Sequence, residues 1–288
     1  MAPPPDLSRR SFLTVGGGLA LAGMAGWPAW AGASQPEASS ALSALLVSND
    51  LYVSPQPQRV AFVMYKGPTP ATGPPARLAL APPGSNQGQV VAARPMSGGL
   101  PKGRGVYVVE AVFEQPGTYQ GLVLTRGAQV KIALEVKPAA DEPVLGSVAS
   151  RAPSPTKQNP LGVDPICTRQ PACPLHAVSL SDVIGTGRPV AVLFATPALC
   201  QTRYCGPVLD ELLTARKAFE DRVTFVHVEI YRSNRGVDLA PTVAAWNIQY
   251  EPWFFTIDGA GTIRGRLDSA FGRDEITPLL QALVAPGS

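Results

Sequence analysis

Apolar and polar positions form short alternating segments through the first half of the chain. Between residues 59 and 136, Pro, Gly, Ser and Asn separate these segments, a pattern typical of an all-β fold. The predicted strands are RVAFVMY, ARLALA, QVVAA, GVYVVEAVFE, GTYQGLVL and QVKIALEV. In GVYVVEAVFE, every second residue is expected to face the core. These residues are Tyr107, Val109, Ala111 and Phe113. We predict a β-sandwich domain over residues 40–137.

The pattern changes in the second half, where apolar strands alternate with helical periodicity. PVAVLFAT (189–196) and VTFVHVEIY (223–231) predict strands, and apolar residues between them recur at helical spacing. A helical segment, two strands joined by a glycine turn and a last helix follow. The predicted order over residues 166–288 is βαβαββα, with the first two strands parallel because a helix connects them. Residues 138–165, rich in Pro, Ser and Ala, predict a linker between the two domains.

The first 33 residues have the features of an export signal. Arg9 and Arg10 precede an apolar, Gly- and Ala-rich stretch that ends at Ala31-Gly32-Ala33. This arrangement predicts a twin-arginine signal peptide over residues 1–33, with the mature chain beginning near Ser34. The alternative is an uncleaved membrane anchor, which the glycines of the stretch disfavour. We expect a protein of the periplasm, the cell envelope or the medium, with no membrane span in the mature chain.

Composition excludes some classes of partner. The chain of 288 residues has a net charge of +3 and only 16% charged residues, so it lacks the basic stripe of a nucleic-acid-binding protein. No motif implies an organic cofactor. All four cysteines lie between residues 167 and 205, so thiol chemistry belongs to the second half. Outside the cytoplasm, close cysteine pairs usually oxidise.

Two thiols mark the junction between the first strand and helix of the second half. The C-terminal half resembles the thioredoxin superfamily, because a strand is followed by Cys205-Gly206-Pro207 at a helix start and Pro252 later precedes a strand, in EPWFF. The family has Cys-Gly-Pro-Cys, whereas here Val208 follows the proline. The second cysteine, Cys200, lies upstream, which gives the spacing CxxxxC.

The resemblance implies an α/β thioredoxin-like domain and a thiol-disulfide oxidoreductase. Its partners would be exported proteins that carry thiols or disulfides, and a redox partner protein. Cys200 and Cys205 would form the redox couple, Pro252 would be the family's cis-proline, and Glu251 and Trp253 would contact substrate. In the first half, EQPGTYQG before a strand is similar to the late strands of immunoglobulin-like domains. The N-terminal sandwich is therefore expected to be immunoglobulin-like.

The two thiols are expected to differ in reactivity. Five residues of regular helix would turn the two thiols to different faces, so a disulfide between them requires a loop over residues 200–205. Cys205 would then lie at or near the helix N-cap, where free N–H groups and the dipole stabilise a thiolate. We therefore assign Cys205 as the nucleophile, although the distance of Cys200 from the strand leaves reversed roles open. Arg203 would favour a thiolate, and Glu251 would raise the thiol pKa.

Cys167 and Cys173 lie in an irregular segment before the first strand of this half, and they predict a structural disulfide. With His176 they could bind zinc, but a fourth ligand at a known spacing is missing, so no metal site is assigned. His227 suggests an alternative function, a Sco-like copper protein in which this histidine and the two downstream cysteines bind Cu(I). A non-enzymatic envelope binding module with structural disulfides is a further alternative.

Overall fold

A computed structural model of the chain describes residues 42–71 and 75–285. The predicted twin-arginine signal peptide lies outside the described residues and stays a prediction. Within the described ranges, none of the helices has the length and apolar character needed to cross a membrane.

The N-terminal part is all-β, as predicted. Its strands are β1 (Leu42–Leu46), β2 (Ser54–Lys66), β3 (Thr69–Pro70), β4 (Ala76–Ala81), β5 (Gln89–Met96), β6 (Val106–Phe113), β7 (Gly117–Thr125) and β8 (Ala128–Val136). They form one antiparallel sheet in the order β1-β2-β6-β5-β4-β7-β8, with β3 paired to β2. The six predicted strands correspond to β2 and to β4 through β8, whereas β1 and β3 were not predicted.

Strand β5 connects the two halves of this sheet. Its residues 89–93 pair with β4 and its residues 94–96 pair with β6. The end strands β1 and β8 also contact each other, so the sheet has a barrel-like form. The predicted core face is confirmed, because one cluster of buried residues contains Tyr107, Val109, Ala111 and Phe113. A continuous sheet takes the place of two separate predicted sheets, and the immunoglobulin-like arrangement is not confirmed.

The C-terminal part is an α/β fold. Its elements are α1 (Leu180–Val183), β9 (Val190–Ala195), α2 (Cys205–Arg216), β10 (Thr224–Glu229), α3 (Pro241–Ala245), β11 (Trp253–Ile257), β12 (Ile263–Asp268) and α4 (Arg273–Leu283). The sheet order is β10-β9-β11-β12. Strand β10 is parallel to β9, and β11 is antiparallel to both β9 and β12. From β9 onward this is the predicted βαβαββα order, and the short helix α1 precedes it.

Strand β9 is central and buried along its whole length, which explains its continuous apolar run. Side chains of one parity pack with residues of α2 and α4, namely Ala191, Leu193 and Ala195. Those of the other parity pack with residues of α1 and α3, namely Val190, Val192 and Phe194. The loop that follows β9 therefore begins at a rigid, fully packed strand end.

Residues 138–165 contain no helix and no strand, and they lie against the C-terminal sheet. The N–H of Gly146 donates to the carbonyl of Ile263 at 2.9 Å, beside β12. The hydroxyl of Thr242 in α3 donates to the carbonyl of Pro153 at 2.7 Å. The predicted linker is thus attached to the second domain, and the division of the chain into domains stays a prediction.

The outer face of β2 and β6 packs against the C-terminal part. Residues of this face share an apolar cluster with α2 and α4, namely Ala61, Val63, Val106 and Val108. At the edge of this contact, Arg59 donates to Asp268 at 3.1 Å and to Glu275 at 2.6 and 2.9 Å. Arg266 donates to the buried Asp50 at 2.8 Å. The two parts are therefore joined by apolar packing and by ion pairs with little exposure.

Candidate functional site

The loop between β9 and α2 carries the partly exposed thiol of Cys200. Residues 196–204 are not helical, and Tyr204 is the N-cap of α2. Arg203 has a φ of 63°, which turns the chain immediately before the helix. The loop therefore ends at Tyr204, one residue earlier than a loop over 200–205, and Cys205 is the first residue of α2, adjacent to its N-cap.

The two thiols have opposite environments. Cys205 is fully buried, in the apolar cluster that includes Val208 and Leu209 of α2. Cys200 is partly exposed, and its sulfur accepts a hydrogen bond from the N–H of Cys205 at 3.4 Å. The hydroxyl of Thr202 lies 3.2 Å from the same sulfur. Both cysteines are free thiols in this structure.

These environments shift the two pKa values in opposite directions. Hydrogen bonding from Cys205 is the main cause that lowers the pKa of Cys200 to about 6, against the effect of burial, and Thr202 and backbone N–H groups contribute. Burial raises the pKa of Cys205 well above its usual value, and the charges of Cys200 and Glu251 raise it further. Cys200, and not the predicted nucleophile Cys205, is therefore the thiol that ionises more readily. Desolvation of Cys205 outweighs the helix dipole, and hydrogen-bond donors take the role expected of Arg203.

Glu251 and Pro252 lie close to the thiol pair. The peptide bond between them is cis, as the resemblance implied. The pKa of Glu251 is raised to about 7, first by burial and then by the charges of Cys200 and Glu229. A carboxyl group with this pKa is about half ionised at neutral pH, so it can accept or release a proton there.

Trp253 belongs to the core, with 2% of its surface exposed. Its ring stacks on Phe255 at 5.4 Å between centroids, and the guanidinium of Arg266 lies 4.7 Å from the ring centroid. It is part of the cluster that also contains Phe194, whereas Cys205 belongs to the other cluster. Strand alternation thus turns this side chain into the core and away from the cluster that contains Cys205, so its predicted contact with substrate finds no support in this structure.

Four ligand-type side chains meet beside β10. They are all buried, and their sulfur and ring nitrogen atoms lie within 4.8 Å of one another: Cys167, Cys173, His176 and His227. Cys173 Sγ lies 3.3 Å from His176 Nε2 and 3.4 Å from His227 Nδ1. Cys167 Sγ lies 3.7 Å from His227 Nδ1, and the two nitrogens lie 3.2 Å apart. These four residues could hold a metal ion.

This cluster bears on the predicted disulfide and on the copper alternative. Cys167 and Cys173 are free thiols in this structure, so the predicted disulfide is not formed here, and both sulfurs face imidazole nitrogens. His227 directs Nδ1 into this cluster and Nε2 toward the carbonyl of Ala195 at 3.0 Å. Its ring is therefore not a partner of Cys200, and the Sco-like arrangement of ligands is not formed.

Thr168 connects this cluster to the loop of Cys200. Its N–H and hydroxyl donate to the buried carboxylate of Glu229 at 2.8 and 3.1 Å. The N–H of Ala198 in turn donates to the Thr168 hydroxyl at 3.1 Å. Sequence reasoning missed both Thr168 and Glu229, because each is a single polar residue without a motif. The one signal for Glu229 is a carboxylate at the end of a strand that is otherwise mostly apolar.

A cavity of about 500 Å³ lies between the N-terminal sheet and β12. The residues that line it include Asp50, Arg59 and Arg266 but none of the cysteines. The charged groups of these three residues form ion pairs that join the two parts.

No protein-family model and no curated protein matches the chain. Among solved structures, a thiol:disulfide interchange protein, thioredoxin family protein, from Chlorobium tepidum TLS is similar over 50% of this chain and 99% of that chain. The sequence identity is 14% and the TM-score is 0.35. Because similarity at this level supports no inference about function, the candidate chemistry rests on the residues described above.

Proposed function

We propose that the chain is an exported thiol-disulfide oxidoreductase of the thioredoxin-like superfamily, acting on protein disulfides through Cys200 and Cys205. One observation carries this proposal: an accessible thiol with a pKa of about 6 is hydrogen-bonded by a buried thiol with a raised pKa. A low pKa suits the thiol that attacks first, and a buried partner suits the thiol that resolves the intermediate. The strand order and the cis bond before Pro252 support the superfamily assignment.

The exchange proceeds in two steps. The Cys200 thiolate attacks one sulfur of a substrate disulfide, so a mixed disulfide forms and the other substrate sulfur leaves as a thiolate. Cys205 then loses its proton and attacks the Cys200 sulfur, which releases the second substrate thiolate and forms the Cys200–Cys205 disulfide. The substrate gains two electrons and the protein loses two. The reverse sequence oxidises a dithiol, and the reduction potential of the couple decides the direction.

Glu251 is the proton acceptor for the second step in this proposal. The buried thiol of Cys205 holds its proton tightly, so its attack requires a nearby base. The carboxylate of Glu251 interacts electrostatically with both cysteines, and its pKa of about 7 lies near neutral pH. From the sequence, this carboxylate was expected to contact substrate and to raise the thiol pKa.

Export and partners are part of the same proposal. Arg9 and Arg10, followed by an apolar stretch and a small-residue cleavage site, support the twin-arginine route. Substrates would then be exported proteins with thiols or disulfides, and a second protein would restore the redox state of the couple.

The N-terminal sheet supports an immunoglobulin-like assignment through its strand order. The groups β1-β2-β6 and β4-β7-β8 are antiparallel and are joined by β5. In the proposed function this part protects the resolving thiol, because Ala61 and Val63 of β2 share the apolar cluster of Cys205.

Trapping the mixed disulfide tests the proposed order of attack. Purified Cys205→Ser and Cys200→Ser variants are exposed to glutathione disulfide, and adducts are mapped by mass spectrometry. We expect a stable glutathione adduct on Cys200 in Cys205→Ser, because no resolving thiol remains. The matched Cys200→Ser variant should form little adduct, because Cys205 is fully buried. Rapid adduct formation on Cys205, or on neither cysteine, would reject the proposed couple.

A further inference from the structure

A second cluster of thiols and imidazoles lies outside the proposed redox couple. It contains both histidines of the chain and the two cysteines that the exchange reaction does not use. We infer that Cys167, Cys173, His176 and His227 bind one zinc ion in a closed, structural site. This inference is independent of the proposed oxidoreductase activity.

The distances fit tetrahedral zinc. Bond lengths of about 2.3 Å to sulfur and about 2.0–2.1 Å to nitrogen place neighbouring S and N ligands about 3.5–3.6 Å apart, and two N ligands about 3.3–3.4 Å apart. The three sulfur-to-nitrogen distances given above are 3.3, 3.4 and 3.7 Å. The two imidazole nitrogens are 3.2 Å apart. Four of the six distances between the donor atoms are therefore close to those of a tetrahedral site, and the other two are within 4.8 Å.

The hydrogen bonding of His227 assigns its ligand atom. The carbonyl of Ala195 can only accept, so His227 Nε2 carries the hydrogen and the lone pair of Nδ1 faces the cluster. The N–H of Cys173 donates to Cys167 Sγ at 3.4 Å, which stabilises a negatively charged sulfur. Such contacts are the outer support that metal-ligating imidazoles and thiolates usually have.

The donor set selects zinc. Two thiolates and two imidazoles in a tetrahedron are the ligands of structural zinc sites, whereas magnesium and calcium require oxygen ligands. All four residues are at most 3% exposed, so no position is open for water or substrate. A closed site of this kind stabilises structure and does not perform catalysis.

The position of the cluster explains what zinc would stabilise. Cys167, Cys173 and His176 lie in a segment without helix or strand, whereas His227 lies in β10, an edge strand of the sheet. The N–H of His227 donates to the carbonyl of Leu175 at 3.0 Å, so the segment runs along this edge. Zinc would join the segment to the sheet at a place where regular secondary structure is missing, and would protect the edge from other pairings.

Binding involves no redox change at the protein. The two cysteine thiols lose their protons to solvent as zinc enters, and the two imidazoles bind in their neutral form. The complex is therefore heavier than the apoprotein by one zinc atom less two hydrogen atoms.

Metal analysis of the untagged full chain tests the inference. The protein is purified without a polyhistidine tag or chelator, incubated with excess Zn²⁺ and dialysed, and then measured by native mass spectrometry and elemental analysis. We expect one zinc per chain. Co²⁺ in place of zinc should give the visible absorption of a tetrahedral site with thiolate ligands.

Matched variants locate the zinc. Cys173→Ser and His227→Ala should lose most of the bound zinc, whereas Cys200→Ser and Cys205→Ser should keep one zinc per chain. If Cys200→Ser and Cys205→Ser keep their zinc, loss of the proposed activity does not by itself remove the metal.

Three results would overturn the inference. They are a wild-type chain without stoichiometric zinc, a Cys167–Cys173 disulfide in the purified protein, and tighter binding of Cu(I) that displaces zinc from these ligands. Because each is measured on the wild-type chain, a variant that fails to fold does not affect the decision.

Discussion

The reactivity of Cys200 depends on the groups that donate hydrogen bonds to its sulfur. The largest cause that lowers its pKa is hydrogen bonding from Cys205, with smaller contributions from Thr202 and backbone N–H groups. The helix N-terminus alone does not produce a thiolate here, because the thiol that occupies it is buried. A partly exposed thiol beside a helix start therefore ionises more readily than a buried one inside it.

The first prediction concerns the pH dependence of Cys200 alkylation. Because the pKa is lowered, the rate with iodoacetamide should rise as pH rises through about 6 and reach a plateau above it. Cys205→Ala removes the thiol donor but keeps the N–H of residue 205, and it should move the midpoint upward, toward the ordinary cysteine value of about 8.5. Cys205→Ser keeps a donor and should stay nearer to wild type. Equal midpoints in the two variants would contradict this explanation.

The second prediction concerns Glu251 as a base. In wild-type protein, resolution of the Cys200 mixed disulfide should become faster as pH rises through the pKa of Glu251. This pKa is about 7 in the free protein and is lower in the mixed disulfide, because the charge of the Cys200 thiolate is then absent. Glu251→Gln should remove this pH dependence and slow resolution at pH 7–8 by about 100-fold, the lower end of general-base effects. Rapid-quench mass spectrometry measures the lifetime of the mixed disulfide. Faster resolution in the variant would show that the carboxylate acts only by raising the Cys205 pKa.

Sequence reasoning found the residues of the thiol pair but not the cluster of four ligands. The sequence reveals the thiol pair because Cys200 and Cys205 lie between a predicted strand and a predicted helix. It reveals Pro252 because this proline directly precedes a predicted strand. His227 lies 51 residues from His176 along the chain. Only the packing of an irregular segment along β10 joins them, and this contact leaves no local pattern.

At the scale of elements, most strands follow from their local pattern. Strand β2 and strands β4 to β8 have alternating or continuous apolar residues between turn residues. Strand β1 has the sequence LSALL, which lacks β-branched residues, and it is a strand because it pairs with β2. The partner of β5 changes from β4 to β6 within one strand, which a periodic pattern does not reveal.

The third prediction concerns the loop between β9 and α2. Thr168→Val removes the acceptor for the N–H of Ala198, a hydrogen bond of about 1 kcal/mol, so this amide should exchange about fivefold faster with deuterium. Thr168→Ser keeps the hydroxyl and should exchange like wild type. NMR measures the deuterium exchange rate of the Ala198 amide in the wild type and both variants. Unchanged exchange in Thr168→Val would show that the loop is held by other contacts.

For the whole molecule, the contact between the two parts depends on Arg59. Its side chain is 11% exposed, and it pairs with Asp268 and Glu275 from the C-terminal part. Removing the guanidinium leaves two carboxylates with little exposure and without their cation, which is costly because charge is then uncompensated in a poorly solvated place.

The fourth prediction compares two arginines. Arg59→Met should destabilise the fold by about 3–5 kcal/mol in urea unfolding. Arg94→Met removes an exposed pair with Glu110 and should change stability by less than about 1 kcal/mol. The effect of Arg59→Met should shrink as pH falls, because protonation of Asp268, whose pKa is raised mainly by burial, removes one unpaired charge. Equal effects of the two substitutions would contradict a role of Arg59 in joining the parts.

The central claim, that Cys200 and Cys205 form a working redox couple, is tested most directly by redox titration of the wild-type chain. The protein is equilibrated in glutathione or dithiothreitol buffers, alkylated and mapped by mass spectrometry. We expect one two-electron transition in which a Cys200–Cys205 disulfide forms, at a potential above the value of about −300 mV below which structural disulfides typically lie. Cys167 and Cys173 should not form a disulfide in this transition. A Cys200–Cys205 pair that never forms a disulfide, or that stays oxidised far below about −300 mV, would contradict the claim.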